Sequence, residues 1–257
     1  MSKEPIVIDP SRSGRLDRRS FLKLGAAGAG TLLLLPESAS AAPKVKTAAR
    51  IVIAGAGAAG LTAAAQLAQR LEGAQITLVD ARKAHFYQPG FTLVAGGIKP
   101  ASYVISSTRD YVPSGVELIE EAVAEIDPEG RKVVTATGKP VPYDYLIVAT
   151  GLRLDYAAIE GMDVEQIGNN GLGSICHSPE KAAATWQAMS KFADSGGVGV
   201  FLRPGTEMKC AGAPLKYTFL TDDHLRRRGN RGKAEIIYNA NNKLLFSVPI
   251  VHEKVRM

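Results

Sequence analysis

The chain has two cysteines, one tryptophan and four histidines among 257 residues. Two cysteines permit one internal disulfide at most, which excludes a disulfide-stapled scaffold. The few histidines and cysteines show no metal-ligand spacing, so no metal site is expected. Aromatic residues make up only 6%. No basic stripe interleaves with them, which argues against nucleic acid as a partner. Long apolar runs are also missing. The best candidate, Leu24 to Leu35, is short and rich in Gly and Ala, and it cannot span a bilayer. Neither charge sign dominates: 31 Lys and Arg face 25 Asp and Glu, a net +6. The segment up to Ala42 holds six basic and four acidic side chains (+2), which leaves a mild +4 for the rest of the chain. The one dense basic run is "HLRRRGNRGK", 224–233. It reads as a solvated helix end and turn, with contact to acidic lipid or an acidic partner as the alternative. What remains is ordinary: 46% apolar and 22% charged, enough chain for one or two domains with real cores.

The N-terminal segment, 1–42, reads as an address. Arg18-Arg19 precede Phe21-Leu22-Lys23, then the short apolar run, then Pro36 and the small-residue site Ala39-Ser40-Ala41. This resembles the bacterial twin-arginine signal, with Asp17 where that pattern usually has Ser or Thr. The resemblance implies export of a folded, cofactor-loaded protein to the periplasm or the outer face of the inner membrane. In that oxidising compartment two cysteines can form a disulfide.

From Arg50 the pattern changes. "RIVIAGAGAAGLTAAAQLAQRL" predicts a strand over Ile51 to Ala54, a Gly55-x-Gly57-x-x-Gly60 turn and an alanine-rich helix to about Leu71. "AQITLVD" predicts a second strand ending at Asp80, at the interval beyond the glycines where a ribose-binding acid belongs. Gly55 permits the tight turn, Gly57 the approach of a pyrophosphate, and Gly60 close helix–strand packing. The helix N-terminus offers free N–H groups to phosphate, and Asp80 can accept from ribose hydroxyls. Together these pieces specify a dinucleotide site.

Downstream, "VELIEEAVAEIDPEGRKVVTATGKPVPYDYL" reads as one strand, a turn at Asp127 to Gly130, a second strand and a hairpin. "YDYLIVATG" (143–151) then gives a buried strand, Leu146 to Ala149, closed by Thr150-Gly151. It resembles the ATG motif of two-dinucleotide-binding-domain flavoproteins, whose glycine fingerprint holds FAD. FAD is therefore expected here rather than NAD. The expected fold is α/β: a Rossmann-like FAD-binding domain with a β insertion over 43–155, then an incomplete second Rossmann-like domain over 156–257. In the latter, Ser178 caps and Pro179 starts a helix to about Ala193, and Val198 to Leu202 forms a buried strand. A cysteine loop, a helix and the strand "KAEIIYNA" follow. No second glycine fingerprint appears, so no NAD(P)H site is expected there.

"HFYQPGFTLVAGG" (85–97) and "KCAGAPLK" (209–216) resemble sulfide:quinone oxidoreductase, in particular its mitochondrial-type branch. The resemblance implies sulfide and quinone as substrates and noncovalent FAD. It implies cofactor contacts at Gly55, Gly57, Ala58, Ala59, Gly60, Asp80, Ala81, Arg82, Gln88, Thr150 and Gly151. It makes Cys210 half of a redox pair, on which sulfide leaves a persulfide. Lys209, Lys216 and the helix that follows favour a thiolate there. Cys176, upstream of it, pairs with Cys210 or simply packs. His177 and His85 either hydrogen-bond near the flavin or make ordinary polar contacts. The family is longer, with a second redox cysteine, a second FAD motif and quinone-reaching apolar helices beyond the point where this chain ends. The resemblance therefore implies a C-terminally truncated member, with a second chain as a way to supply the missing half. Three alternatives stay open. One is the flavin subunit of a flavocytochrome c-type sulfide dehydrogenase, disfavoured because Ala81 to Gly97 has no cysteine to tether a flavin. One is a type 2 NADH dehydrogenase. The last is a non-catalytic flavin-binding remnant.

Overall fold

A computed structural model describes residues 43–206, 208–240, 244–246 and 248–256. The expected twin-arginine signal lies outside the described residues.

Strand β1 (Arg50–Ala54) and β2 (Gln75–Val79) are short apolar runs, buried over their last four residues. Between them runs helix α1 (Ala58–Arg70), rich in alanine, the best helix former. Its buried face is Gly60, Leu61 and Ala64, grouped at helical spacing. Then come the hairpin strands β3 (Ala84–Phe86) and β4 (Ile105–Ser107), with helix α2 (Phe91–Ala95) between them. Strand β5 (Val116–Ile119) completes the first parallel run. An antiparallel insertion follows, β6 (Val123–Asp127), β7 (Lys132–Thr135) and β8 (Pro140–Pro142). Strand β9 (Tyr145–Val148) returns to the main sheet, whose order is β9-β1-β2-β5, all parallel. It is not buried as expected, because it lies at the sheet edge, with Tyr145 and Val148 exposed.

Period-two alternation divides this sheet between two cores. Ile51, Ile53, Ile76 and Leu78 face α1 with Leu61 and Ala64. Val52, Val79 and Ile119 face the insertion and meet Val133, Val141 and Tyr143. Both faces of the central strands are covered, as a parallel sheet requires. The stretch "VELIEEAVAEID", expected as one strand, is two. Val116–Ile119 pairs with β2, whereas Val123–Asp127 pairs with β7. The Glu120–Ala122 break lets the chain leave the sheet, and Glu121 accepts from the Thr137 hydroxyl.

The second half holds helix α3 (Pro179–Ser195), β10 (Gly197–Leu202), α4 (Ala213–Arg227), β11 (Ala234–Asn239) and α5 (Pro249–Arg256). Ser178 accepts the Lys181 N–H and Pro179 occupies the first turn of α3, as the sequence predicts. Strands β10 and β11 pair in parallel with α4 as the crossover. Strand β10 is not buried as expected: Phe201 packs against the helix core, but Val198, Val200 and Leu202 are exposed on its other face, which no described element covers. The dense basic run ends α4, and its arginines are paired: Arg226 and Arg231 with Asp222, Arg227 with Asp223, Arg228 with Asp194. A core of Phe91, Val94, Ala95, Ala182, Met189, Tyr217 and Leu225 joins α2 to α3 and α4. Residues from Lys44 onward thus form one compact unit.

Two changes probe this frame. A Cβ on Gly60 would lie 1.8 Å from the Gly55 carbonyl oxygen, a backbone atom with nowhere to go. Gly60→Ala should cost about 3 kcal/mol or more, read as a lower midpoint in urea unfolding; an unchanged midpoint would refute the close packing. Asp144 accepts from the Arg50 backbone and guanidinium, at 2.8 and 2.7 Å for the closest contacts, and ties β9 to β1. These bonds hold its carboxyl down at about 2 from an ordinary 3.8. A lowered folded value stabilises above the unfolded one and is lost as pH falls through the folded one. Wild type should therefore resist acid better than Asp144→Asn above about pH 3.8, and lose that advantage as pH falls to about 2, where the circular-dichroism curves converge. Both side chains are exposed, so the gap should be small.

Candidate functional site

The carboxyl ends of β1, β2 and β9 converge on one turn. Gly55 donates its N–H to the Val79 carbonyl at 2.8 Å, and Ala149 donates to Ala54 at 2.8 Å. Gly55 has φ +106, and a Cβ there would sit 2.4 Å from the Ala149 oxygen. Only glycine satisfies both demands. The turn opens α1, whose N-cap Gly57 makes no side-chain cap bond and whose first turn carries no acid. Ala58 and Ala59 are exposed at that helix start, so the positive dipole end and its free N–H groups are open to a ligand.

Asp80 follows β2, its side chain only 9% exposed. Its carboxylate accepts from the Ala56 N–H at 2.8 Å, the Arg82 N–H at 2.8 Å and the Arg82 guanidinium at 2.8 and 3.1 Å. Burial pushes this carboxyl up, but the hydrogen bonds from Arg82 and Ala56 outweigh it and hold the group below its ordinary value. The Arg82 guanidinium also lies 3.6 Å from where a Gly57 Cβ would be. A cation, an uncapped helix start and a bare glycine thus lie together, a donor set that fits a pyrophosphate. Thr150 and Gly151, both exposed, close the ATG strand at the same edge. Ala81 is exposed beside Asp80. Gln88 is exposed on the single turn Gln88–Gly90, and no hydrogen bond joins it to the fingerprint residues among those described. The His85 ring meets Tyr111 at 4.9 Å and the His177 ring meets Tyr156 at 5.5 Å, both tilted rather than stacked.

The second cluster is built of sulfur. Cys210 lies exposed in the loop between β10 and α4, with φ +53. That left-handed conformation is uncommon outside glycine and concentrates at functional sites. The Cys210 carbonyl accepts the Ala213 N–H at 2.8 Å, which closes the turn into α4. Helix α4 has no side-chain cap and no acid in its first turn. Cys176, half-buried, lies within electrostatic reach of both Lys209 and Cys210. Burial pushes its thiol up, the Lys209 ammonium pulls it down, and a negative Cys210 pushes it up again. Both thiols are free. Lys216, by contrast, faces an apolar groove lined by Leu215, Phe219, Phe246 and Val251.

Three features were not legible in the sequence. Tyr156, in the linker after β9, reaches Ser174 at 2.6 Å. The segment around "FTLVAGG" clamps the second half: Tyr217 donates to the Ala95 carbonyl at 3.0 Å and His224 meets the Gly96 carbonyl at 2.6 Å. Gly97 leaves room for Trp186, whose ring a Cβ would meet at 2.4 Å. These contacts join positions far apart in the chain, and no local pattern announces them.

Comparison with known proteins agrees with this geometry. The family model for pyridine nucleotide-disulphide oxidoreductases matches residues 49–193. The mitochondrial sulfide:quinone oxidoreductase of Mus musculus is 37% identical over 232 residues, 89% of this chain and 49% of that protein. The Dictyostelium discoideum enzyme of the same name is 36% identical, over 80% of this chain and 45% of its own. The crystal structure of sulfide:quinone oxidoreductase from Aquifex aeolicus superposes with a TM-score of 0.60 at 26% identity, covering 74% of this chain and 43% of that one. The chain thus spans about half the length of the curated relatives it matches. The fold is the Rossmann-like, FAD-binding α/β fold of that family. The chain belongs to the pyridine nucleotide-disulphide oxidoreductases and, within them, to the sulfide:quinone oxidoreductase family.

Proposed function

We propose that this chain carries the FAD and the thiol pair of a sulfide-oxidising flavoenzyme that passes electrons to a quinone. The observation that supports it most is that Cys176 lies within electrostatic reach of both Cys210 and Lys209, in a fold whose uncapped α1 start fits a pyrophosphate. In the oxidised pair a disulfide joins the two sulfurs. Exposed Cys210 is the sulfur that hydrosulfide reaches from solvent. Attack forms a new S–S bond at Cys210, breaks the Cys176–Cys210 bond and releases Cys176 as a thiolate. Lys209 stabilises the negative charge left on Cys176. A nucleophilic acceptor then takes the outer sulfur from Cys210, which leaves two reduced thiols. Bound FAD supplies the two-electron acceptor that returns them to the disulfide.

The cradle holds the FAD pyrophosphate through the α1 N-terminus and Arg82, while Asp80 fixes Arg82 over Gly57. The flavin is noncovalent in this reading, because the loop from Ala81 to Gly97 has no cysteine and both of the chain's cysteines belong to the thiol cluster. Arg18-Arg19 support export to the periplasmic side of the inner membrane. No described helix is long and apolar enough to cross a membrane. A second chain is the partner that would supply the further half found in the relatives. The face it would cover is the apolar side of β10 and β11, where Val198, Val200 and Leu202 are exposed.

The test starts with the purified chain loaded with FAD. Anaerobic sulfide should bleach the flavin band, and Cys210→Ser or Cys176→Ser should slow bleaching by at least about 100-fold. Bound flavin that sulfide never bleaches would leave a flavin-binding remnant and refute the catalytic reading. Acid precipitation should release all yellow colour to the supernatant; colour kept in the pellet would refute noncovalent binding.

A further inference from the structure

Cys176 lies within electrostatic reach of Lys209 and Cys210, and the loop that carries it has little structure of its own. Residues 172–178 form no helix or strand. Its hold comes from hydrogen bonds on one side and a ring on the other. The Cys176 N–H donates to the Ser174 hydroxyl at 3.3 Å. That hydroxyl also meets the Tyr156 hydroxyl at 2.6 Å. The Ser174 N–H donates to the Thr185 hydroxyl of α3 at 2.9 Å. On the far side of Cys176, the His177 ring sits 5.5 Å from the Tyr156 ring. Tyr156 therefore touches the residues two before and one after Cys176.

We propose that Tyr156 is the positioning residue for the second thiol: its hydroxyl and ring clamp the Ser174–His177 loop and so fix where Cys176 sits relative to Lys209 and Cys210. Thr185 anchors the loop to α3, which fixes its height on the helix. Tyr156 fixes its rotation, because it ties the linker after β9 to both flanks of the cysteine. Burial pushes the Tyr156 hydroxyl up; its bond with Ser174 opposes this, and a negative Cys176 pushes it up further, for a net rise. The hydroxyl thus stays protonated at neutral pH and keeps its hydrogen bond with Ser174. This inference rests on the thiol-pair reading above for its catalytic meaning, but the placement of Cys176 is testable without it.

Two readouts separate the two claims. The first is the equilibrium of the Cys176–Cys210 disulfide against glutathione, followed by thiol alkylation and mass shift on the full chain. Tyr156→Phe should lower the disulfide equilibrium constant roughly fivefold, the scale of one lost hydrogen bond. Ser174→Ala removes the same bond from its other end and should do likewise, which covers the case where one variant fails to fold. The second readout is the pH profile of iodoacetamide alkylation at Cys176 in a Cys210→Ser background, where one thiol remains. Tyr156→Phe should shift that profile or change its plateau rate, while the thermal midpoint stays close to the parent's. Folded Tyr156→Phe and Ser174→Ala chains with the parent's glutathione equilibrium and the parent's alkylation profile would overturn the proposal. If wild type forms no disulfide, yet Tyr156→Phe still changes the alkylation profile, positioning stands and the thiol-pair reading falls.

Discussion

Everything in the nucleotide half turns on one close approach of backbone to backbone. Gly60 packs against the Gly55 carbonyl, and Gly55 packs against the end of β9 at Ala149. No side chain fits at either contact. The approach brings the start of α1 over the carboxyl ends of three parallel strands, so the uncapped N–H groups, Asp80 and the ATG strand meet in one place. The buried strands on both sides of the sheet secure this arrangement, since their two cores close from opposite faces. The chemistry of the cradle follows from the same geometry. A helix start without a capping side chain keeps its positive end available, and Arg82, held by its ion pair with Asp80, brings further N–H donors to Gly57, which leaves it space.

The second half depends on a different constraint. Helix α2 and the glycines after it are wedged among α3 and α4, with Tyr217 bonded to Ala95 and Trp186 lying against Gly97. Burial pushes the Tyr217 hydroxyl up, so it remains a donor within this core. A segment that carries a family signature in the sequence is therefore also a packing wedge in the structure. It fixes α3, and α3 in turn anchors the Cys176 loop through Thr185. Rigid packing around α2 is thus transmitted to the thiol cluster by hydrogen bonds rather than by the loop itself.

The thiol cluster is an electrostatic compromise. Burial disfavours a charged Cys176, while Lys209 favours it. Cys210 has the opposite setting: exposed, in a left-handed turn, near the start of an uncapped helix. One thiol is open to solvent and the other is sheltered beside a cation. That asymmetry gives the two sulfurs of the proposed pair different tasks, one to receive hydrosulfide and one to leave.

The sequence by itself determined the nucleotide half in detail. Strand, glycines, helix, second strand and Asp80 are local signals with fixed spacing, and the structure places them as read, apart from small shifts at the ends. It also determined the cap of α3 at Ser178 and the β insertion, apart from the break at Glu120–Ala122, where a continuous strand-like pattern concealed a change of sheet. Cys210 was visible from its neighbours. Only the tertiary structure decided that Cys176 comes within electrostatic reach of Cys210 and Lys209, that Tyr156 bonds to Ser174 in the loop that carries it, and that Trp186 and His224 close over Gly96 and Gly97. The physical reason is range. A turn or a helix start is fixed by a few consecutive residues, whereas a contact between a linker tyrosine and a distant loop exists only after both cores have packed.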